Sequence, residues 1–258
     1  MTAALHPSQP PEATLTWRRA LIGLRRRLAL ALIQRGRRRL AWEVLRGRGV
    51  EIGALHSPFP LPPEAAAVYV DRMPVAQLRL HYAELGDAPL VPVDVVDDAE
   101  TLATFASASQ DFLIASHLLE HCEDPIGALL TWLRVVRPGG VVVLAVPDRR
   151  FTFDRDRPPT ALSHVVRDHR DGPQGSREEH YLEWARAVEG RTGGDARARA
   201  EELRRARYSI HFHVWDHDAL AELLEHCQRL PGAPAARPSL RRNRSENLAV
   251  LRRLPSHT

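Results

Sequence analysis

Residues 49–56 read Gly49-Val50-Glu51-Ile52-Gly53-Ala54-Leu55-His56, an apolar run that ends in a small, glycine-containing turn. A strand ending this way lets backbone approach a ligand closely, because a side chain at the glycine would occupy the ligand's volume. Outward from this point, short apolar runs alternate with helical patterns. Strands are expected near residues 50–54, 67–70, 91–96, 111–116 and 141–146, with helices between them at 75–85, 100–106 and 126–136. That rhythm predicts an α/β fold with a doubly wound, parallel sheet. Such sheets bind ligands beyond the carboxyl ends of their strands. The loops that start at Gly53, Asp71, Asp97, Ser116 and Pro147 are therefore expected around one crevice.

With 258 residues and 44% hydrophobic content, the chain has material for one substantial core plus an appendage. Residues 1–13 are rich in Pro, Ser and Ala and are expected to be disordered. From Thr14 onward, Trp17, Leu21, Leu24, Leu28 and Leu32 recur at spacings of three and four, with Arg18, Arg19, Arg25 and Arg26 between them. Residues 14–48 thus read as a basic amphipathic helical segment, interrupted at Gly36. Its leucine stripe is expected to pack on the domain, and contact of residues 14–46 with a peripheral membrane surface or an acidic partner is the alternative. Residues 49–148 form the sheet core. Residues 149–207, with helical patches at 181–188 and 196–207, interrupt it as a lid or acceptor-binding insertion. Residues 208–258 complete the core with a strand at 211–214, a helix at 219–227 and a last strand at 248–251.

Composition excludes several function classes. All 36 basic residues are arginine, which removes lysine amine and Schiff-base chemistry. Residues 1–50 hold eleven of them against Glu12 and Glu43, so +9 sits in that segment and −5 in the remainder of a chain totalling +4. The body is mildly acidic, and no nucleic-acid partner is expected. Cys122 and Cys227 lie far apart with no C-x-x-C spacing, which argues against a disulfide framework or a thiolate zinc site and fits a reducing cytoplasm. The longest apolar run, residues 28–33, is far short of the ~20 residues that a membrane-spanning helix requires.

The polar residues near the strand ends carry the chemistry. Asp71 closes Val68-Tyr69-Val70-Asp71-Arg72, about 20 residues beyond Glu51, the interval at which a carboxylate reaches ribose hydroxyls. In Asp97-Asp98-Ala99-Glu100-Thr101-Leu102, Asp98 suits an adenine amino group, with Ala99 giving the ring room and Leu102 packing beneath it. The other role for Asp97 or Asp98 is a helix cap. Residues 147–158 follow the fifth strand onto the crevice and are too dense in alternating charges and aromatics for an ordinary connection, so their position assigns substrate contact to Phe153, Arg155 and Arg157, with His211. A surface loop of self-compensating ion pairs is the plainer reading. One of His117, His121, His180 or His213 is the candidate acid/base group, since imidazole titrates at ~6.5. His211-Phe212-His213 would place two imidazoles on one side of a strand, but no nearby Asp or Cys completes a ligand pattern, and no metal is expected.

Glu51-Ile52-Gly53-Ala54, Asp71, Asp98-Ala99-Glu100-Thr101-Leu102, the run from Asp111 through Ser116-His117-Leu118-Leu119-Glu120-His121, and Leu133 through Arg137-Pro138-Gly139-Gly140 follow one another at telling intervals. Together they resemble the ordered motifs of class I S-adenosylmethionine-dependent methyltransferases, particularly the methyltransferase type 11 group, over residues 49–148. The resemblance implies a Rossmann-like seven-stranded sheet with a reversed final hairpin, to which this chain adds an N-terminal helix and a helical lid insertion. It implies S-adenosylmethionine across the strand ends, with Glu51, Gly53 and Ala54 at the methionine portion and Asp71 and Arg72 at the ribose. Asp97, Asp98 and Ala99 would flank the adenine, Ser116 and His117 would lie beneath the sulfonium, and residues 137–140 would turn into the fifth strand. Where the family loop continues with glycines, this chain has Leu55 and Ser57, followed by Pro58, Pro60, Pro62 and Pro63.

The implied activity is methyl transfer to a small-molecule acceptor such as a sugar, a phenol or another secondary metabolite. O-methylation is favoured because a hydroxyl needs a base and the histidines supply candidates. Two other classes stand beside it. One is a catalytically silent S-adenosylmethionine-binding partner protein. The other is a nicotinamide-dependent oxidoreductase, which shares the glycine turn and ribose carboxylate but would carry the full G-x-G-x-x-G absent here.

Overall fold

Alternation along residues 112–115 sets the two faces of the sheet. Phe112 and Ile114 pack with Leu40, Ala41, Leu45 and Phe59 on one side, whereas Leu113 and Ala115 join Leu129, Trp132 and Leu223 on the other. The computed structural model describes residues 12–230 and 235–255, and the side chains among them from residue 27 onward except Glu84. The stretch 1–13, expected to be disordered, lies outside the described residues apart from its last two.

The strands are β1 (Gly47–Ile52), β2 (Ala65–Asp71), β3 (Val95–Val96), β4 (Gln110–Ser116), β5 (Val136–Pro147), β6 (Ser239–Asn243) and β7 (Glu246–Arg252). They form one sheet in the order β3-β2-β1-β4-β5-β7-β6. β1 to β5 are parallel, and β7 runs antiparallel to β5 and β6. This is the doubly wound α/β sheet with a reversed final hairpin, and its order switches direction between β1 and β4, where such folds open a crevice. The helices are α1 (Glu12–Val44), α2 (Val75–His81), α3 (Pro125–Val135), α4 (Leu162–Asp171), α5 (Arg177–Ala187), α6 (Gly193–Arg205) and α7 (His217–Arg229). α3 begins where Pro125 occupies the first turn and Asp124 accepts the Gly127 N–H. Its Trp132 is fully buried, with Nε1 donating to the Ala99 carbonyl at 2.8 Å.

Several sequence expectations change. α1 runs unbroken through Gly36, and this glycine serves a close approach: a Cβ there would meet Asn243 Oδ1 at 2.0 Å. Leu28 is 60% exposed, so the leucine stripe is not packed on the domain at that position, and contact comes instead from Arg37, Leu40, Ala41 and Leu45 nearer the helix end. Trp17, Leu21 and Leu24 lie outside the described side chains. The helix expected at 100–106 is a series of turns: Asp98 takes the N–H groups of Glu100 and Thr101 as a cap would, but Asp97 captures those of Ala103 and Thr104 that a helical ladder would use. The strand expected at 91–96 pairs only at Val95–Val96; Pro92 has no N–H to give. Residues 137–140 belong to β5, bulging out between its pairings with Gln110 and Phe112. No strand forms at 211–214, where only the bridge of Trp215 to Asp148 is made. Residues 211 and 213 are therefore released from strand alternation.

The segment between β5 and α7 has its own small core. Tyr181, Trp184 and Ala185 of α5 meet Ala196, Ala200 and Leu203 of α6 under Ile210 and Phe212. Val165 of α4 reaches the main core instead, which anchors the segment over the sheet's carboxyl edge. Each such buried aliphatic side chain contributes roughly 1.5–3 kcal/mol. Among the described residues, no helix is long and apolar enough to cross a membrane.

Candidate active site

The ends of β1, β2 and β3 are tied together by backbone hydrogen bonds from Gly53 N to Val70 O (2.9 Å) and from Asp97 N to Asp71 O (3.0 Å). Gly53 takes φ +68, in the left-handed region that glycine adopts without strain. Leu55, standing where the related loops carry glycine, also takes a left-handed φ of +48. The backbone keeps a glycine-like path with a leucine on it.

Three carboxylates border this edge, and each has an unengaged oxygen. Glu51 is fully buried; its Oε1 accepts the Phe59 N–H at 2.7 Å, while Oε2 has no partner. Burial pushes its pKa up to about 8, against the hydrogen bond from Phe59 and the nearby Arg37 charge. Asp71 Oδ1 accepts its neighbour's N–H, from Arg72, and burial raises its pKa. Asp98 Oδ1 accepts from Glu100 and Thr101. Among the described residues the second oxygens of Asp71 and Asp98 carry no hydrogen bond. Asp97, by contrast, is consumed by Thr104, Ala103 and Asp98, and shapes the loop. Ala54 is buried behind the turn, and Ala99 is held by Trp132. The Arg72 guanidinium turns to His81 Nε2 (2.6 Å) and the Tyr82 hydroxyl (3.2 Å) at the end of α2.

Ser116 is buried at the end of β4, and His117 follows in a left-handed φ of +52. The His117 side chain is 46% exposed, with Nε2 3.0 Å from Oε2 of the buried Glu246 and Nδ1 3.9 Å from Glu120 Oε1. Burial alone would lower its pKa, but the hydrogen bond to Glu246 and the Glu120 charge leave it raised. Glu246 also receives Arg37 Nε and Nη2 at 3.0 and 2.6 Å and Asn243 Nδ2 at 2.7 Å. Burial would raise the Glu246 pKa, yet His117 and Arg37 together bring it to about 2. Glu120 is buried with neither carboxyl oxygen partnered, and burial raises its pKa.

The four candidate acid/base histidines fall into two groups. His121 lies near His117 but is shut in: Nδ1 donates to Ile210 O at 2.8 Å, and burial drives its pKa down to about 3. His180 and His213 sit apart from the crevice, beside His164. Of the four candidate acceptor residues, three are drawn together. Asp154 Oδ2 is 2.7 Å from His211 Nδ1, Arg157 Nη1 donates to Asp154 Oδ1 at 2.8 Å, and the half-exposed Phe153 ring lies over His211 at 4.8 Å. The Arg155 side chain is 73% exposed and, among the described residues, meets only Asp156. Arg157 is itself buried and also bound to Glu183, so it braces the segment.

Arg37, Glu120, Asp154 and Glu246 are site residues that sequence reasoning did not single out. Glu120 stands inside the Leu-Glu-His motif and Asp154 inside the charged run, so those two had a local signal; Arg37 and Glu246, 209 positions apart, had none.

The donor set fits S-adenosylmethionine. Buried, orphaned Glu51 Oε2 suits its ammonium, Asp71 Oδ2 the ribose hydroxyls, and Asp98 Oδ2 the adenine amino group. At Gly53 a Cβ would meet only Leu118, at 3.5 Å, so the loop leaves room for a ligand.

A family model described as a methyltransferase domain matches residues 24–228. No curated protein matches the chain. Among solved structures it is similar to the CurJ carbon methyltransferase, with 15% identity and a TM-score of 0.45 over 81% of this chain and 49% of that one. It thus spans about half of that relative. It is also similar to a Thermotoga maritima S-adenosylmethionine-dependent methyltransferase described as a possible histamine N-methyltransferase (15% identity, TM-score 0.47, 87% of this chain and 89% of that one). A third is an O-methyltransferase family protein from Burkholderia thailandensis (11% identity, TM-score 0.46, 93% of this chain and 59% of that one).

Proposed function

The chain belongs to the class I S-adenosylmethionine-dependent methyltransferases, and from that premise we propose that it methylates a hydroxyl oxygen of a small-molecule acceptor, with His117 as the base. The observation that carries this reading is the His117–Glu246 pair: a half-exposed imidazole at the crevice whose Nε2 rests 3.0 Å from a buried carboxylate. The carboxylate holds the proton on Nε2 and leaves the Nδ1 lone pair available, the arrangement by which a carboxylate orients a histidine base. Bound S-adenosylmethionine supplies an already electrophilic methyl group. The protein then has to align the acceptor, exclude water and remove one proton. The acceptor hydroxyl gives its proton to His117 Nδ1 as its oxygen takes the methyl. Phe153 offers an exposed ring for the acceptor to lie against.

Incubation with methyl-labelled S-adenosylmethionine and a panel of sugars, phenols and amines tests this, with NMR locating the new methyl. Label on oxygen is expected, and His117→Gln should lower turnover by ~10²–10⁴-fold while cofactor binding persists. Because the His117 pKa is raised, the rate should climb with pH through a midpoint above 6.5. Label on nitrogen or carbon, or a fully active His117→Gln, would overturn the reading.

A further inference from the structure

Where the insertion meets the core, His164 and Asp168 of α4, His180 of α5 and His213 of the stretch before α7 turn their polar atoms toward one another. His164 Nε2 is 3.1 Å from both His180 Nε2 and Asp168 Oδ2, and the latter two atoms are 3.7 Å apart. With His213, one ligand atom from each residue lies within 4.8 Å of all the others. Ligands of a tetrahedral zinc ion at ~2.0–2.1 Å stand roughly 3.3–3.4 Å from one another. The three closest atoms already bracket that spacing.

Two of these groups are unexplained without a ligand. Asp168 is 3% exposed, and its Oδ2 has no hydrogen-bond partner despite its nearness to His164. His213 is fully buried, with Nε2 3.2 Å from the Glu123 carbonyl and Nδ1 unpartnered. A histidine whose second nitrogen donates to a backbone carbonyl has its other lone pair fixed for a metal.

We propose that His164, Asp168, His180 and His213 form a structural divalent-metal site, best suited to zinc, that clamps the insertion to the stretch before α7. Three imidazoles and a carboxylate are a zinc-type donor set, and four protein ligands leave no position open for a substrate, as in structural rather than catalytic sites. One contact must yield. Arg167 Nη2 stands 2.5 Å from His164 Nδ1, and metal on Nε2 places a proton on Nδ1, so the exposed Arg167 swings away on loading.

The test uses the full chain, stripped with a chelator and titrated with zinc in competition with a chromophoric chelator, and separately with cobalt(II). One equivalent of zinc is expected to bind per chain, to raise the melting temperature, and to give way to cobalt with the strong visible bands of a tetrahedral N3O site. Asp168→Asn, which keeps the side chain's shape, should weaken binding by more than about 100-fold, since even outer-shell changes cost 10–100-fold. Arg167→Ala should tighten it. Absence of stoichiometric binding by folded wild type, octahedral cobalt spectra, or undiminished affinity in a folded Asp168→Asn would each overturn the site. Should Asp168→Asn fail to fold, His180→Gln and the wild-type cobalt spectrum decide. These readouts are independent of methyl transfer.

Discussion

The strand-end edge from Glu51 to Asp98 and the buried ion pairs around it handle polar atoms in opposite ways. At the edge, each of Glu51, Asp71 and Asp98 uses one oxygen on a nearby backbone N–H and keeps the other unengaged. In the ion pairs, Arg37 of α1 is matched bidentately to Glu246 of β7, and Arg157 to Asp154 and Glu183. Spare acceptors suit a ligand rich in donors, whereas closed ion pairs hold architecture. At the strand ends the unsatisfied oxygens locate the cofactor, whereas the unsatisfied Asp168 and His213 under the insertion mark the proposed metal site.

The largest effect should come from breaking a closed pair. Arg37 and Glu246 are 5% and 2% exposed, so Arg37→Met leaves the buried carboxylate with His117 and Asn243 alone and should destabilise the fold by up to ~3–5 kcal/mol in urea unfolding. The double variant Arg37→Met/Glu246→Gln should recover much of that loss. Equal losses in the single and double variants would mean that the pair's charges are not confined together.

Next in size is the open edge. Asp71→Ala should weaken S-adenosylmethionine binding by ~1–3 kcal/mol, through lost charged hydrogen bonds, with little change in stability. Calorimetry showing unchanged affinity in a folded variant would move the ribose elsewhere and erase the contrast at this point.

Glu51 gives a smaller, pH-dependent effect. Its carboxyl is protonated below about 8, and pairing with the ligand ammonium requires it to ionise. Binding should therefore release up to one proton near pH 6–7, and affinity should rise by as much as about tenfold per pH unit there. The same raised pKa means that Glu51 opposes folding progressively as pH rises from the unfolded value toward 8. Buffer-dependent calorimetry checks this, and Glu51→Gln should abolish the proton release. No release in wild type would leave Glu51 out of the methionine site.

These two regions also differ in what the chain's linear order disclosed. Gly53, Asp71 and Asp98 each end a short apolar run, so strand period and spacing place them on one edge without knowledge of tertiary contacts. The helix expected at 100–106 failed because capture of the Ala103 and Thr104 N–H groups by Asp97 leaves apolar spacing unchanged. The buried pairs were hidden for another reason. Their partners are 209 positions apart in Arg37–Glu246 and 57 in His211–Asp154, and no local period encodes such pairings. His211 and His213 were expected on one face of a strand, yet the irregular backbone sends one to Asp154 and the other to His180. The Asp168 that joins His213 arrives from α4, 45 positions away, which is why the pair of histidines looked incomplete in sequence.

The smallest effect lies at Leu55, where the two regions' logic meets the family's missing glycine. Its φ of +48 is disfavoured for a side chain with a Cβ by ~1–2 kcal/mol, while glycine adopts it without strain. Elsewhere Ala is the more stabilising of the two small residues, because Gly loses more backbone entropy on folding, by roughly 0.5–1 kcal/mol. At this position the order should invert: Leu55→Gly should be more stable than Leu55→Ala by up to about 1 kcal/mol in urea unfolding. Both variants remove the leucine's branched end and differ only at the Cβ, whose small packing gain would favour Ala, so a more stable Gly variant reports the backbone. An Ala variant at least as stable as the Gly variant would mean that residue 55 is not left-handed, and that the loop beyond Gly53 does not follow the path of a cofactor-cradling turn.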